Sequence, residues 1–350
     1  MHPLTGFAPK LLAWYYLHKR DLPWRTTKDP YKIWVSEIIL QQTRVQQGLP
    51  YYERFIERFP TVHALAEAPL DDLLRLWQGL GYYSRARNMQ HAAQFIQREC
   101  GGSFPDSFEK LLYLKGVGRY TAAAIASFAF GERVPVVDGN VQRVLSRFVG
   151  ISEDVSLPKT QKTMEKTAAE LMSDADPGNF NQAIMEFGAT YCVPQRPDCP
   201  QCIFKQACFA YQHSFVDKLP VKGKKTKVRN RYFHYIVFTQ GTKLAIRQRT
   251  GKDIWEGLYE FFLIEGEAFF EESQLTSSLR SLGISVSKFD TISDKYLHIL
   301  SHQKLHAKFY TLSGFEQPAS LGMHYVEMEE FDKLGKPVLL LKYLKEEEFS

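Results

Sequence analysis

Leu111-Leu112-Tyr113-Leu114-Lys115-Gly116-Val117-Gly118-Arg119-Tyr120-Thr121-Ala122 joins two segments with helical apolar spacing through a Gly-Val-Gly turn. Glycines at such a turn let backbone N–H groups and the start of the following helix come close to a phosphate. A lone Gly-x-Gly also marks ordinary tight turns, so its weight comes from what surrounds it. Twenty residues after Gly118, Val-Pro-Val-Val ends on Asp138-Gly139-Asn140-Val141, and a cluster of cysteines follows further on. On both sides of the turn, from Leu11 to about Phe209, apolar residues recur at three- and four-residue spacing between Pro and Gly punctuation, which predicts an all-α region. Asp29-Pro30 reads as a cap and first-turn proline opening a helix over Tyr31–Gln47. Further helices are expected at Tyr51–Arg58, Leu70–Trp77, Ser84–Glu99, Phe108–Leu114, Tyr120–Phe130, Val141–Val149, Lys159–Met172 and Asn179–Thr190.

The 350 residues are 44% hydrophobic and 24% charged, with a formal net charge of +5. Such a chain can bury a core and is too apolar to stay disordered, and its length suits two domains. The charge alone is a weak indication of nucleic-acid binding. No apolar stretch approaches the length of a membrane span, and Met1–Arg20 lacks a signal-peptide core. A cytoplasmic protein is expected.

Of five cysteines, Cys192, Cys199, Cys202 and Cys208 fall within 17 residues, spaced Cys-x6-Cys-x2-Cys-x5-Cys. A cytosolic chain of this size has no need of disulfides there. A zinc ribbon would need two Cys-x2-Cys knuckles, and only one is present. Four thiolates on one Pro-rich loop suit an iron–sulfur cubane. Cys100, beside Gly101-Gly102, reads as a helix-end residue.

Residues 218–231 carry seven basic side chains and no acidic one. This is an expected interdomain linker, equally a solvated tether or a contact to DNA backbone. Beyond it the period changes to that of strands: Tyr232–Phe238 and Lys243–Gln248 around Gln240-Gly241 form one expected hairpin, and Tyr296–Leu300 with Leu305–Leu312 another. Gln274–Leu282 and Lys336–Lys345 look helical, giving an α+β domain. The expected division is thus 1–217, linker 218–231 and 232–350.

Helix, glycine turn, helix over residues 111–122 is the helix–hairpin–helix signature, which holds DNA backbone without reading sequence. Together with Leu-Pro-Trp-Arg (22–25), Asp-Pro-Tyr-Lys-Ile-Trp-Val-Ser-Glu (29–37), Leu-Gln-Gln-Thr-Arg-Val (40–45), Gly-Leu-Gly-Tyr-Tyr-Ser-Arg-Ala-Arg-Asn (79–88), Asp-Gly-Asn-Val (138–141) and the four cysteines, it resembles the helix–hairpin–helix DNA glycosylases that carry an iron–sulfur cluster. Among these the chain is most similar to the adenine DNA glycosylase (MutY) family. The resemblance covers nearly the whole chain and implies base excision repair. The reaction would be hydrolysis of the N-glycosidic bond of adenine mispaired with 8-oxoguanine or guanine, after base flipping, by a monomer acting on double-stranded DNA. It also implies a [4Fe-4S] cluster on Cys192, Cys199, Cys202 and Cys208.

Asp138 reads locally as a helix cap; the resemblance adds that its anion stabilises an oxocarbenium-like sugar. Glu37, in an apolar helix, reads locally as half-buried and paired with a base such as Arg44. The resemblance makes it the acid that protonates the departing purine, a task that a raised pKa suits. Tyr120 and Asn140 would line the same site. The endonuclease III branch has a lysine where this chain has Tyr120 and a glutamine where it has Glu37, so a Schiff base with the sugar is unavailable and little lyase activity is expected. Gln42, Thr43, Leu80 and Tyr82 match positions that wedge into the duplex. Arg25 matches a contact in the adenine pocket, and Gly116 and Gly118 the phosphate turn.

Residues 232–350 resemble the Nudix-like domain that this family uses to recognise 8-oxoguanine. The magnesium-binding Gly-x5-Glu-x7-Arg-Glu-x2-Glu-Glu box is absent, so binding without hydrolysis is expected. Leu300-Ser301-His302 matches a Phe-Ser-His recognition loop with Leu for Phe, and Ser301 and His302 keep their hydrogen-bonding groups. His298, His302 and His306 recur every four residues, but a strand–turn–strand pattern places His302 and His306 apart and argues against a metal face. An endonuclease III-like lyase and a non-catalytic iron–sulfur DNA-binding protein are the alternatives; Tyr120 and Glu37 disfavour the first, the retained carboxylates the second.

Overall fold

The computed structural model describes residues 6–172, 176–223, 228–316 and 318–347. Among the described residues twelve α-helices precede the first strand: α1 (Phe7–His18), α2 (Pro30–Ile39), α3 (Val45–Arg58), α4 (Val62–Glu67), α5 (Leu70–Leu76), α6 (Ser84–Glu99), α7 (Phe108–Leu111), α8 (Arg119–Phe130), α9 (Gly139–Leu145), α10 (Pro158–Leu171), α11 (Pro177–Thr190) and α12 (Phe209–Gln212). The chain divides into two units. Met1–Glu67 with Asn88–Lys224 form one, and Ala68–Arg87 with Lys225–Ser350 the other. This division is not the linear one expected from composition, because α5 groups with the C-terminal residues. Leu74 lies against Gly257, and Asp71 accepts hydrogen bonds from Gln248 and Tyr259.

In the helical unit two helix starts show the same local cause. Asp29 accepts the Tyr31 N–H and Pro30 fits the first turn of α2; Asp176 and Pro177 do the same for α11. The helix expected over Tyr31–Gln47 instead ends at Ile39, and the next, expected from Tyr51, starts at Val45. Between them Gln42 adopts φ +58, a left-handed conformation that an α-helix cannot contain. The helix expected over Phe108–Leu114 stops at Leu111, where the chain begins to turn, and the one expected to Val149 gives way after Leu145 to a wider turn. Gly116 needs its glycine twice over: its φ is +81, and a Cβ would sit 2.7 Å from that of Asn88. The core gathers α1, α9, α10 and α11 around Phe7, Leu11, Val144, Leu145, Phe180 and Phe187.

Among its described residues the second unit adds eight strands, β1 (Arg229–Gln240), β2 (Lys243–Gln248), β3 (Tyr259–Glu260), β4 (Phe262–Gly266), β5 (Thr291–Ile292), β6 (Tyr296–Ile299), β7 (Gln303–Ser313) and β8 (His324–Glu327). The helices α13 (Glu272–Ser281), α14 (Met328–Asp332) and α15 (Val338–Glu346) complete it. Both expected hairpins are present: β1 pairs antiparallel with β2, and β6 with β7. They are joined by a parallel pairing of β1 with β7 that runs from Arg229↔Gln303 to Thr239↔Ser313. Phe233–Phe238 is buried throughout, because the sheet is covered on both faces. Tyr343 of α15 stacks on Phe309 at 3.9 Å, and Leu275 and Leu279 of α13 cover Ile236 and Phe238. The middle of the basic run, residues 224–227, lies outside the described residues.

Candidate active site

A cavity of about 180 Å³ in the helical unit is lined by α2, α8, α9, α11 and the loops before α2 and α3. It brings together Arg25, Glu37, Thr43, Tyr120, Asp138 and Asn140. Gln42 is exposed on the adjoining turn. Glu37 projects from the apolar α2 and is 5% exposed. Burial pushes its carboxyl up to about 7; the Tyr120 hydroxyl, donating to Oε2 at 2.5 Å, and Arg25 oppose this, while Asp138 adds to it. Its partner is therefore a phenol rather than the base expected from sequence. Tyr120 opens α8 just after the glycine turn, and burial together with Glu37 and Asp138 holds its hydroxyl firmly protonated.

Asp138 is the cap of α9. Oδ1 accepts the N–H groups of Asn140 (2.9 Å) and Val141 (2.7 Å), and Oδ2 accepts Asn140 Nδ2 (2.9 Å). Burial nevertheless outweighs these bonds and raises its pKa. Capping and presentation to the cavity coexist: both backbone N–H groups bond to Oδ1, while Asp138 also lines the cavity. Asn140 is held in turn by Arg143, whose Nη2 donates to Oδ1 at 2.9 Å.

Sequence reasoning did not find Glu186. It is 1% exposed, lines the same cavity, and receives Arg20 Nε (2.7 Å), Arg20 Nη2 (2.6 Å) and Arg25 Nη2 (2.6 Å). Burial alone would raise its pKa, but the two guanidiniums hold it at about 2. Arg25 is thus fixed at the cavity wall. In the sequence its only mark is that Glu186 is the one charged residue in the segment Pro177–Thr190, which by itself does not name its partners.

The four clustered thiols line a second cavity of the same unit, with Arg147, Phe187 and Tyr191. Among the described residues no three His, Cys, Asp or Glu side chains converge as they would on a single metal ion. A four-iron cubane binds each thiolate at a different iron, so four thiols around one cavity fit its donor set. Burial pushes the Cys202 thiol up to about 12, neighbouring cysteines adding to it, and raises Cys199 and Cys208. Only bound cations would draw off those protons. Arg147 donates to Cys192 Sγ at 3.4 Å and Arg143 to the Cys192 carbonyl at 2.8 Å. Arg143 therefore joins this loop to Asn140.

In the C-terminal unit a cavity of about 490 Å³ is lined by Leu80, Tyr82, Asp253, Trp255, Ser301 and His302, among others. Leu80 is buried and Tyr82 exposed, with φ +46; the Tyr82 hydroxyl donates to Ser301 Oγ. Gly116 and Gly118 lie in the α7–α8 hairpin, where a Cβ on Gly118 would meet nothing.

The adenine DNA glycosylase of Buchnera aphidicola subsp. Schizaphis graminum is 33% identical over 345 residues, spanning 97% of this chain and 98% of the relative. The chain belongs to the adenine DNA glycosylase family. The adenine DNA glycosylase of Mus musculus is 35% identical over 94% of this chain and 75% of its own length. Residues 35–173 match the HhH-GPD superfamily of base excision DNA repair proteins, and residues 234–346 a NUDIX domain. The solved structure of a thermostable thymine-DNA glycosylase aligns with a TM-score of 0.56 at 29% identity, covering 60% of this chain and 97% of that one. As an adenine DNA glycosylase family member, the chain is a DNA N-glycosylase, a hydrolase of base excision repair whose substrate is DNA. No described helix is long and apolar enough to cross a membrane.

Proposed function

We propose that this monomeric enzyme removes adenine mispaired with 8-oxoguanine or guanine, without strand cleavage. The observation that carries the reading is a protonatable Glu37, near 7, facing the same cavity as the capped carboxylate of Asp138. Adenine flips into the cavity against Arg25. Glu37 donates its proton to a ring nitrogen of the purine as the glycosidic bond breaks and the electron pair leaves with the base. Asp138 stabilises the cationic sugar, and water completes the hydrolysis, giving its proton to a carboxylate. Tyr120 and Asn140 hold the two acids in place. No lysine is among the residues lining the cavity, which supports a monofunctional reaction.

In this reading Gly116 and Gly118 receive a phosphate. Gln42, Thr43, Leu80 and Tyr82 fill the space left in the duplex, and Ser301 and His302 bind 8-oxoguanine by hydrogen bonds. Cys192, Cys199, Cys202 and Cys208 hold a [4Fe-4S] cluster. When bound, that cluster supplies a four-point tie that rigidifies the loop 192–208.

Single-turnover base release from duplexes with adenine opposite 8-oxoguanine or guanine tests the proposal. The Asp138→Asn variant is expected to lose about 10²- to 10³-fold in rate, the scale of removing a principal electrostatic stabiliser. An Asp138→Asn enzyme within tenfold of the unaltered protein, or strong borohydride trapping of the unaltered enzyme on DNA, sinks the mechanism.

A further inference from the structure

The turn that carries Ser301 and His302 is tied from beneath by one side chain. Arg231 on β1 is 4% exposed. Its Nε and Nη2 donate to Glu265 at 2.7 and 2.6 Å, and its Nη1 and Nη2 to Asp253 at 2.9 and 2.7 Å. Nη1 also donates to Gln303 Oε1 at 3.1 Å. The three acceptors belong to three elements: Glu265 to β4, Asp253 to the loop between β2 and β3, and Gln303 to the first position of β7. Asp253 and Gln303 both line the cavity that holds Ser301 and His302. The turn itself is closed by the Leu300 N–H donating to the Gln303 carbonyl at 2.8 Å, and the Arg229 N–H donates to the His302 carbonyl at 3.0 Å. Both ends of Ser301–His302 are therefore anchored on residues beside or bonded to Arg231.

Buried ion pairs are poor stabilisers, since apolar side chains of the same size often serve as well or better. What two planar forks provide is fixed geometry, which a lysine ammonium cannot reproduce. Arg249 reinforces the same arrangement, donating to Asp253 at 2.7 Å and to Glu260 at 2.8 Å.

We infer that Arg231 is a positioning residue for recognition of the base opposite adenine: it fixes the Ser301–His302 turn, through Gln303, against the Asp253–Trp255 loop. The inference rests on the proposed reading of the C-terminal domain as the 8-oxoguanine reader. It predicts that the tie to Gln303 matters for selectivity although neither side chain need touch the base.

The test measures, in full-length protein carrying Asp138→Asn to prevent turnover, the ratio of Kd values for duplexes with adenine opposite guanine and opposite 8-oxoguanine. Gln303→Leu and Arg231→Lys are each expected to lower that preference about tenfold, as expected for a hydrogen bond to a charged group. The double variant should lose no more than either single one. Gln303→Glu, which keeps an acceptor for Nη1, should retain the preference. Additive losses in the double variant would overturn the inference, because Gln303 would then act on the base directly. Gln303→Leu removes no buried charge and decides the matter alone if Arg231→Lys does not fold. A parent protein without preference overturns the reading of the domain and the inference with it; a selective parent with a fully selective Gln303→Leu overturns the inference alone.

Discussion

The two walls of the candidate active-site cavity bury a glutamate each, and the outcomes are opposite. On the α2 wall Glu37 meets a phenol and another carboxylate, and its pKa is driven to about 7. On the α11 wall Glu186 meets two guanidiniums, and its pKa falls to about 2. Burial penalises both anions; the partner decides which wall holds a proton and which holds a fixed charge. One wall can thus do acid chemistry near neutral pH, while the other serves as the anchor for Arg25.

The largest break in this contrast comes from the acid. Glu37→Gln should slow adenine release about 10²- to 10³-fold in single-turnover assays, the range of general-acid catalysis. In the unaltered enzyme the rate should fall above about pH 7 as Glu37 loses its proton. Because the folded pKa lies above the ordinary 4.5, the native state binds the extra proton, and stability declines as pH rises from about 4.5 to about 7. Glu37→Gln should remove that decline, gaining up to about 3 kcal/mol at pH 8 and nothing at pH 4, as read by denaturant unfolding. Equal stability of the two proteins at pH 8 would contradict the assignment.

Next comes the anchor. Glu186→Gln leaves two guanidiniums without their anion and should cost about 3 kcal/mol at pH 7. The sign is reversed here: a carboxyl held below its ordinary 4.5 stabilises fully above about pH 5, and the contribution fades as pH falls toward 2. The gap between the variant and the unaltered protein should therefore narrow in acid, and a gap that persists unchanged at pH 3 would break the contrast.

The smallest effect sharpens it. The Tyr120 hydroxyl lowers the Glu37 pKa against the larger push of burial. Tyr120→Phe should move the alkaline limb of the rate profile to higher pH by up to about one unit, with a rate change below about tenfold. A downward move would mean that the phenol supports the neutral acid instead.

Much of this site was legible in the residues themselves. Glu37, Tyr120, Asp138 and Asn140 stand in short motifs whose order is informative, and the structure gathers all four. Glu186 was not legible, because a single charge in an apolar helix acquires meaning only when Arg20 and Arg25 are seen to reach it from a distant segment. The break between α2 and α3 was hidden for a different reason: Leu40 and Val45 keep apolar spacing across the turn, and only the left-handed Gln42 interrupts the helix. Local pairing explains the second unit as well. The two hairpins could be read because their strands are adjacent in sequence, whereas the parallel pairing of β1 with β7 joins segments separated by β2 to β6. It leaves no mark within either one.

The discontinuous second unit has a consequence for synthesis. Residues 68–87 leave the ribosome long before the strands with which they group, while the residues between belong to the other unit. The helical unit can complete its fold while α5 still lacks its partners, and Leu73 and Leu74, both fully buried in the finished protein, must wait in solvent or on a chaperone. Order of manufacture, rather than strength of any contact, exposes this short segment to misassembly.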